Sequence, residues 1–339
     1  MAETILIWGA GAIGGTLGAY WARAGIDVRM VDINAEHADT CGVQGLTIEG
    51  PVDNFTQVVP TVTPDQLSGT FSQIILAVKA QHTAAAVACM KPHLVDDGFV
   101  LSAQNGLNEL MINDMLSARQ TMGCFVNFGA DWHAPGKILF GNRGAVVVGE
   151  LDGKTCDRTR KMFALLKMFE PDAVLTEDIW SYLWGKLGYG AMLFGTALTA
   201  DSMADNFADP ERAKIWISLA KEVMAVAHSQ DVEPRGFNGF DPKAFLPDAP
   251  AELAQQSIDK LAWFTRHTAK THSGIYRDLA IRNRGTEIDA QVALVANIGE
   301  TTGVASPALH RLVELIHDIE KGRRDQSSAT LQELAKVCL

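Results

Sequence analysis

TILIWGAGAIG, the stretch from Thr4 to Gly14, decides the fold class of this chain. Its β-rich apolar run predicts a first strand over Thr4–Trp8, and the small apolar residues that follow predict a helix over Ala12–Ala24. The pattern G-x-G-x-x-G lies between strand and helix, where it is typical of a dinucleotide-binding βαβ unit. The first glycine makes a tight turn, the second admits a pyrophosphate, and the third lets the helix pack closely. We therefore expect a nicotinamide dinucleotide to contact Gly9, Ala10, Gly11, Ala12, Ile13 and Gly14.

An acidic residue, Asp32, follows the second predicted strand, Asp27–Val31. At this distance from the glycine-rich loop a carboxylate is placed to bind the ribose 2′-hydroxyl of NAD(H), and it repels the 2′-phosphate of NADP(H). We therefore expect NAD(H) to be favoured over NADP(H). The alternative interpretation is that Asp32 is only a solvated residue at the end of a strand.

The rest of the N-terminal half alternates short β-rich runs with small-residue helical stretches, which predicts a parallel sheet with crossover helices. A turn at Pro135–Gly136 is expected to join the strands before and after it. The further predicted strands are Ser72–Val78, Gly98–Ala103, Thr121–Gly129, Ala145–Glu150 and Ala173–Thr176. The further predicted helices are Thr83–Met90, Leu107–Leu116 and Asp157–Phe169.

Beyond Glu177 the chain changes to long segments rich in Ala, Leu and Met, which predict an all-helical second half. A proline-rich stretch, Pro234–Pro250, is predicted to be a loop within it. The predicted helices are Ile179–Leu198, Glu211–Ser229, Ala251–Thr268, Thr286–Thr302 and Pro307–Lys321. We therefore divide the chain into a Rossmann dinucleotide-binding domain of the α/β class, residues 1–178, and an all-α substrate and dimerisation domain, residues 179–339.

The composition narrows the class of protein further. A formal net charge of −11 argues against a nucleic-acid partner, because such proteins present a basic face to the phosphates. The five cysteines are scattered without metal-ligand spacing, so we expect reduced thiols and no metal site. The N-terminus lacks the features of a signal peptide, and no apolar run reaches the roughly 20 residues of a membrane span. We therefore expect a cytoplasmic protein with a small-molecule substrate and no membrane contact.

Seven short segments follow one another along the chain: Gly9–Gly15, Leu76–Gln81, Gln104–Gly106, Trp184–Leu187, Arg277–Asp278, Thr286–Asp289 and Gly303–Pro307. With these segments the chain resembles the ketopantoate reductase (2-dehydropantoate 2-reductase) family over nearly its whole length. The resemblance implies an N-terminal Rossmann domain and a C-terminal helical domain like that of 6-phosphogluconate dehydrogenase. It also implies reduction of a 2-oxo acid with a nicotinamide cofactor, usually NADPH. Asp32 departs from the basic residue often found at its position in the family, which again favours NAD(H).

The resemblance assigns chemistry to four residues. Lys186 matches the family's catalytic lysine and would act as the general acid, since a reduced carbonyl oxygen needs a cation or proton donor beside it. Glu287 matches the active-site glutamate that orients the lysine and the product hydroxyl. Lys79 would contact the cofactor or the substrate carboxylate, and Asn105 the nicotinamide ribose or the substrate. Without the resemblance these would be a surface lysine, a first-turn glutamate and two polar loop residues.

The predicted substrate region departs from the family pattern. Where members that reduce ketopantoate have two asparagines after the lysine, this chain has Gly190 and Phe194. The nearest counterpart of the family's substrate-binding serine is Ser273, one residue out of register. The pocket is therefore expected to be more apolar, with Arg277 as a candidate to bind a carboxylate in a bidentate manner. The expected substrate-binding residues are Asn105, Gly190, Phe194, Ser273, Tyr276 and Arg277, and the expected substrate is not ketopantoate.

These features predict an NAD(P)-dependent oxidoreductase. It would transfer a hydride between nicotinamide and the carbonyl or alcohol carbon of a 2-oxo acid or of a bulkier apolar or aromatic ketone. Two alternatives stay open, namely an opine- or imine-forming dehydrogenase and a non-catalytic nucleotide-sensing protein. Because the C-terminal helices of similar proteins often form a dimer interface, we also expect a homodimer.

Overall fold

The computed structural model describes residues 3–237, 239–268 and 270–338. The chain divides into two compact units, the N-terminal unit Met1–Ile179 and the C-terminal unit Trp180–Leu339. The first is of the α/β class and the second is helical, so the predicted fold class is confirmed. Asn238, which belongs to the predicted loop Pro234–Pro250, lies outside the described residues.

The N-terminal unit contains two sheets, one of order β12-β11-β8-β7-β6-β1-β2-β5 and one of order β4-β3-β10-β9. The strands are β1 (Ile5–Trp8), β2 (Val28–Val31), β3 (Leu46–Glu49), β4 (Phe55–Gln57), β5 (Thr61–Val62), β6 (Phe71–Leu76), β7 (Leu94–Ser102), β8 (Thr121–Val126), β9 (Gly129–Ala134), β10 (Lys137–Asn142), β11 (Val146–Glu150) and β12 (Val174–Leu175). The helices are α1 (Ala12–Arg23), α2 (Ala35–Val43), α3 (Thr83–Met90), α4 (Asn108–Met115) and α5 (Asp157–Phe169).

The centre of the larger sheet is parallel and buried. Strands β1, β2, β6, β7 and β8 pair in parallel, and every residue of β1 is buried. Helices on both faces of a parallel sheet favour such continuous apolar strands over alternating ones. Helix α1 returns the chain from β1 to β2, and α3 returns it from β6 to β7. The carboxyl ends of these strands therefore share one edge of the sheet, where ligands of open α/β sheets bind.

Several features of the N-terminal unit differ from the prediction, among them helix α2 and strand β5, which were not predicted. Strand β11 pairs antiparallel to β8, so the larger sheet is mixed. The smaller sheet was not predicted, and the turn at Pro135–Gly136 joins its strands β9 and β10 instead of the predicted strands on either side. The reason is length and exposure: the strands of the smaller sheet have three to six residues, and β4 is without a buried residue. Such short, half-exposed strands leave a weak periodic signal.

The C-terminal unit consists mainly of helices packed around large apolar side chains. They are α6 (Ile179–Thr196), α7 (Met203–Ala208), α8 (Ala213–Ser229), α9 (Ala251–Arg266), α10 (Gly274–Ala280), α11 (Leu294–Thr302), α12 (Pro307–Glu320) and α13 (Ser328–Ala335). Trp216 and Phe207 meet edge to face, with ring centroids 5.6 Å apart. The predicted helix Thr286–Thr302 begins as a π-helical turn, Asp289–Ala293, before α11. Within the described ranges, no helix is both long and apolar enough to cross a membrane.

Candidate active site

The glycine-rich loop follows β1 and leads into α1. Gly9 has a φ of +103°, a conformation that favours glycine, and a Cβ there would lie 3.0 Å from the carbonyl of Ala77. A Cβ on Gly14 would lie 2.0 Å from the carbonyl oxygen of Gly9, so only glycine lets α1 start this close to the strand. Gly11 is different, because a Cβ there would meet nothing within 4 Å. Gly11 is the glycine predicted to lie against the pyrophosphate, and the structure leaves open space at this residue.

The start of α1 also suits an anion. Gly11 is the N-cap residue of α1, and no side chain of the described residues caps this helix end. Ala12 and Ile13, half-buried, form its first turn together with Gly14. The first amide groups of a helix lack intrahelical acceptors and carry the positive end of the helix dipole. The loop thus has the geometry that binds a phosphate group.

Ala10 is held from both sides inside this loop. Its backbone N–H donates to Oδ2 of Asp32 at 3.0 Å, while Oδ1 of Asp32 accepts from the backbone of Asn34 at 2.9 Å. On the other side, the carbonyl oxygen of Ala10 lies 2.8 Å from Nε2 of the buried His37. Nδ1 of His37 accepts from the N–H of Gly136 at 2.9 Å, so Nε2 is the nitrogen that donates to Ala10. Sequence reasoning missed His37, since no local pattern links it to the loop.

Lys79 and Asn105 follow neighbouring parallel strands. Lys79 is exposed in the loop after β6, and Asn105 is half-buried in the loop after β7. The backbone carbonyl of Asn105 accepts a hydrogen bond of 2.6 Å from Nδ2 of Asn108. Both residues thus lie at the sheet edge that also carries the glycine-rich loop.

A buried glutamine joins the two loops that carry Lys79 and Asn105. Nε2 of Gln104 donates to the carbonyl of Val78 at 2.9 Å and to Oγ1 of Thr83 at 2.8 Å. Gln104 was recognised as part of a family-like segment, but no role was predicted for it. Because the Gln104 amide bridges the loops after β6 and β7, it holds the backbone of the two loops that contain Lys79 and Asn105.

Lys186 and Gly190 lie one turn apart on α6, and both are half-buried. Residues at this spacing occupy the same face of a helix. Phe194, one further turn along, has no exposed surface. The structure therefore gives Phe194 a packing role, in contrast to the substrate contact expected from the sequence.

Glu287 is buried just before the π-helical turn, and two residues close to it in sequence, Thr286 and Asp289, are anchored to α12. The backbone N–H and Oγ1 of Thr286 donate to Oε1 of Glu320 at 2.7 and 2.8 Å. His317 has Nδ1 2.9 Å from Oε2 of Glu320 and Nε2 2.9 Å from Oδ1 of Asp289. Sequence reasoning missed this network, although π-helical turns often mark functional sites.

The predicted carboxylate-binding segment has mixed outcomes. Ser273 is the N-cap of α10: it is 1% exposed and its Oγ accepts from the N–H of Tyr276, so its hydroxyl has a structural role instead of the expected substrate contact. Tyr276 is half-buried and its ring lies 4.3 Å from that of His272. Arg277 is half-buried on the same short helix.

A neighbouring carboxylate accounts for the other arginines of this segment. Asp278 is buried and forms ion pairs with Arg282 at 3.2 Å and with Arg284 at 2.8 Å. These two guanidinium groups therefore serve the fold of the segment. The role of Arg277 in binding a substrate carboxylate stays a prediction.

A tyrosine three residues after Lys186 on α6 packs against two phenylalanine rings. Tyr189 contacts Phe237 and Phe240 with ring centroids 5.8 and 6.0 Å away. Burial raises the pKa of Tyr189 to about 12. Among the described residues there is no cluster of three or more His, Cys, Asp or Glu side chains that could hold a metal ion.

Models of one family match both units. The model described as "Ketopantoate reductase PanE/ApbA" matches residues 5–153, and the one described as "Ketopantoate reductase PanE/ApbA C terminal" matches residues 178–320. The 2-dehydropantoate 2-reductase of Pyrococcus horikoshii is 30% identical over 84% of this chain and 87% of its own length. The chain belongs to the ketopantoate reductase family. As a member of this family it is an NAD(P)-dependent oxidoreductase.

Solved structures share the fold over almost the whole chain. A D-mandelate dehydrogenase in complex with NADH and anilino(oxo)acetate has a TM-score of 0.80 at 21% identity, covering 94% of this chain and 99% of that one. A dimeric ketopantoate reductase from Staphylococcus aureus has a TM-score of 0.73 at 16% identity, covering 95% of this chain and 100% of that one. At these identities the likeness concerns the fold.

Proposed function

We propose that this protein is an NAD(H)-dependent reductase of 2-oxo acids, with Lys186 as the proton donor to the reacting oxygen. The observation that carries the proposal is the open space at Gly11, next to an Ala10 whose N–H is bonded to Asp32. The glycine-rich loop would hold the pyrophosphate and Asp32 the adenosine ribose. Lys79 and Asn105, which follow neighbouring strands at the same sheet edge, would contact the rest of the cofactor or the substrate.

Asp32 supports NAD(H) over NADP(H) by its charge and its position. Both carboxylate oxygens accept backbone hydrogen bonds, of 3.0 and 2.9 Å, which holds the charge at the end of β2. A 2′-phosphate beside a fixed carboxylate would be repelled, whereas a 2′-hydroxyl can donate a hydrogen bond to it. Titration of the protein with NADH and with NADPH tests this preference. Tighter binding of NADPH would contradict it.

The cofactor supplies a hydride to the carbonyl carbon when it is bound. Negative charge then develops on the carbonyl oxygen, and the Lys186 ammonium stabilises that charge and transfers a proton to it. The product is a 2-hydroxy acid, and Lys186 regains a proton from solvent. Glu287 favours the charged form of a nearby lysine and accepts a hydrogen bond from the product hydroxyl. Arg277 is the candidate partner of the substrate carboxylate.

We propose a substrate bulkier and more apolar than ketopantoate. Gly190 has no side chain to occupy the space one turn after Lys186, and Tyr276 supplies an aromatic surface. A 2-oxo acid with an aryl or branched alkyl group suits such a site. The neighbour that binds anilino(oxo)acetate acts on an aryl-substituted acid, which is consistent with this proposal.

The decisive experiment measures NADH oxidation with a panel of 2-oxo acids, including phenylglyoxylate, and compares variants. Lys186→Ala and Glu287→Gln should lower kcat by about 10²–10⁴, with NADH dissociation constants within twofold of wild type. Lys214→Ala, an exposed lysine on α8, is the matched control and should leave kcat unchanged. Full activity of Lys186→Ala would contradict the mechanism. Activity that requires an amine together with a 2-oxo acid would establish an opine-type dehydrogenase. NADH binding without turnover of any substrate would instead indicate a nucleotide-sensing protein.

We also propose a homodimer, as in the dimeric relative from Staphylococcus aureus. Size-exclusion chromatography with light scattering should give twice the mass of 36.6 kDa. A monomeric mass at micromolar concentration would contradict this.

A further inference from the structure

Helix α6 contains four glycines, and three of them are explained by close packing. A Cβ on Gly185 would lie 2.0 Å from the carbonyl oxygen of Arg235. Those on Gly188 and Gly195 would lie 2.6 Å from Met224 and 2.8 Å from Trp216. Contacts this short exclude any larger residue unless a neighbour moves. Glycine otherwise weakens a helix, so close packing is the reason for these three.

Gly190 is the exception on this helix. A Cβ there would meet one atom within 4 Å, Oε1 of Gln291, at 3.5 Å, which is an ordinary van der Waals distance. Packing therefore does not require glycine at position 190. The absence of a side chain at Gly190 leaves space beside the carboxamide of Gln291.

Gln291 occupies a particular place relative to the two candidate catalytic residues. Gly190 is one turn after Lys186 on α6, and Gln291 is one turn after Glu287, with its N–H donating to the Glu287 carbonyl at 3.1 Å. Gln291 also lies within the π-helical turn Asp289–Ala293. Its carboxamide therefore lies next to the face of α6 that carries Lys186.

The carboxamide of Gln291 is accessible to water and has no hydrogen-bond partner among the described residues. Gln291 is 9% exposed, and its amide atoms are not among the fully buried side-chain atoms of the described residues that lack a partner, so water can reach them. An amide that no protein group occupies is free to exchange its water hydrogen bonds for hydrogen bonds to a bound ligand. The position of this amide, between Gly190 and the turn after Glu287, points to a ligand.

We infer that the Gln291 carboxamide binds the substrate, as a specificity-determining residue for 2-oxo acids. This inference rests on the proposed function. Nε2 donates a hydrogen bond to an oxygen of the substrate carboxylate. A carboxamide can donate this hydrogen bond, whereas a carboxylate in its place would repel the substrate and an alkyl group has no donor.

The test compares three variants with wild type, using phenylglyoxylate as substrate and anilino(oxo)acetate as a non-reacting ligand in calorimetric titration. Gln291→Met keeps the size but removes the amide. We expect kcat/KM to fall at least tenfold, anilino(oxo)acetate to bind at least tenfold more weakly, and the NADH dissociation constant to stay within twofold. The Tm of the free protein should stay near that of wild type, because the substitution removes no hydrogen bond within the described part of the protein. Gln291→Glu should lose kcat/KM at least as strongly.

Gln326→Met is the matched control. Nε2 of Gln326 donates to the carbonyl of Ala197 at 2.7 Å, so the same substitution there removes a satisfied bond. It should lower Tm and leave kcat/KM unchanged. A Gln291→Met enzyme with wild-type kcat/KM and ligand affinity, or with a Tm lowered as in Gln326→Met, would overturn the inference while leaving the proposed function intact. A wild-type protein inactive on the whole panel of 2-oxo acids would overturn both.

Discussion

His37 and Ala10 are joined by a 2.8 Å hydrogen bond from the imidazole Nε2 to a carbonyl within the glycine-rich loop. The second nitrogen of His37 accepts from Gly136 at 2.9 Å, in the turn between β9 and β10. The smaller sheet is thereby connected to the glycine-rich loop that we propose to bind the dinucleotide. A histidine outside the predicted site thus helps to fix the backbone of that site.

We predict that His37→Phe weakens NADH binding as well as stability. The substitution leaves the carbonyl of Ala10 and the N–H of Gly136 without partners, each at a cost of about 1–3 kcal/mol. The NADH dissociation constant, measured by fluorescence titration, should rise about tenfold, which is about 1.4 kcal/mol. His37→Gln, which offers both a donor and an acceptor, should recover part of the affinity.

Tyr20→Phe is the control for His37. Tyr20 lies on α1, and its hydroxyl donates a hydrogen bond of 3.0 Å to Asp53. Loss of this hydrogen bond should lower the free energy of unfolding by about 1 kcal/mol. NADH affinity should not change in this variant. Equal weakening of NADH binding in both variants would mean that affinity follows general stability and not the His37 bridge.

Alanine substitutions at Gly11 and Gly14 should affect different properties, NADH affinity at Gly11 and stability at Gly14. Gly11→Ala has free space and an extended φ of −70°, so its Tm should stay near wild type, while the methyl group blocks the pyrophosphate and NADH affinity falls at least about tenfold. Gly14→Ala places a methyl carbon 2.0 Å from the Gly9 carbonyl oxygen and should cost about 3 kcal/mol or more. Thermal melts and NADH titrations separate the two effects. A destabilised Gly11→Ala protein would contradict the assignment.

The glycine-rich loop was predictable because its constraints are local, since strand, turn and helix lie within one short stretch. His37 was not, because its partners Ala10 and Gly136 are 27 and 99 residues away in sequence. The turn at Pro135–Gly136 was recognised, but its strands were assigned wrongly because the smaller sheet interrupts the expected order. Gln291 lies within a sequence pattern that predicts one continuous helix. The π-helical turn that contains Gln291 cannot be recognised from such a pattern, so the position of its side chain could not be predicted.

Asp32 should control the choice of cofactor. Asp32→Asn removes the charge that repels a 2′-phosphate, so the ratio of the NADPH and NADH dissociation constants should fall at least about tenfold. Glu36→Gln in the first turn of α2 changes the net charge equally and should leave this ratio unchanged. Fluorescence titration with both cofactors measures the ratio for each variant. An unchanged ratio in Asp32→Asn would show that another residue reads the 2′-position.

The stability of the N-terminal unit should fall in acid through Glu150. Burial raises the pKa of this carboxyl, but hydrogen bonds from Arg158 at 2.8 and 2.5 Å, a hydrogen bond from Thr159 at 2.6 Å and the guanidinium charge lower it more. The pKa therefore lies below its ordinary value of about 4.3. A carboxyl with a depressed pKa stabilises the folded state above that ordinary value, and the stabilisation is lost as pH falls through the folded-state pKa.

Glu150→Gln should therefore cost about 3 kcal/mol of unfolding free energy at pH 7, because it leaves the largely buried Arg158 without its carboxylate. The difference from wild type should shrink progressively below about pH 4. Arg158→Gln should behave similarly, whereas Arg160→Gln, which breaks an exposed pair with Asp157, should cost less than about 1 kcal/mol. Urea denaturation at pH 7 and pH 3 measures these differences. A Glu150→Gln deficit that is the same at both values would mean that the contact stabilises by packing and not by charge.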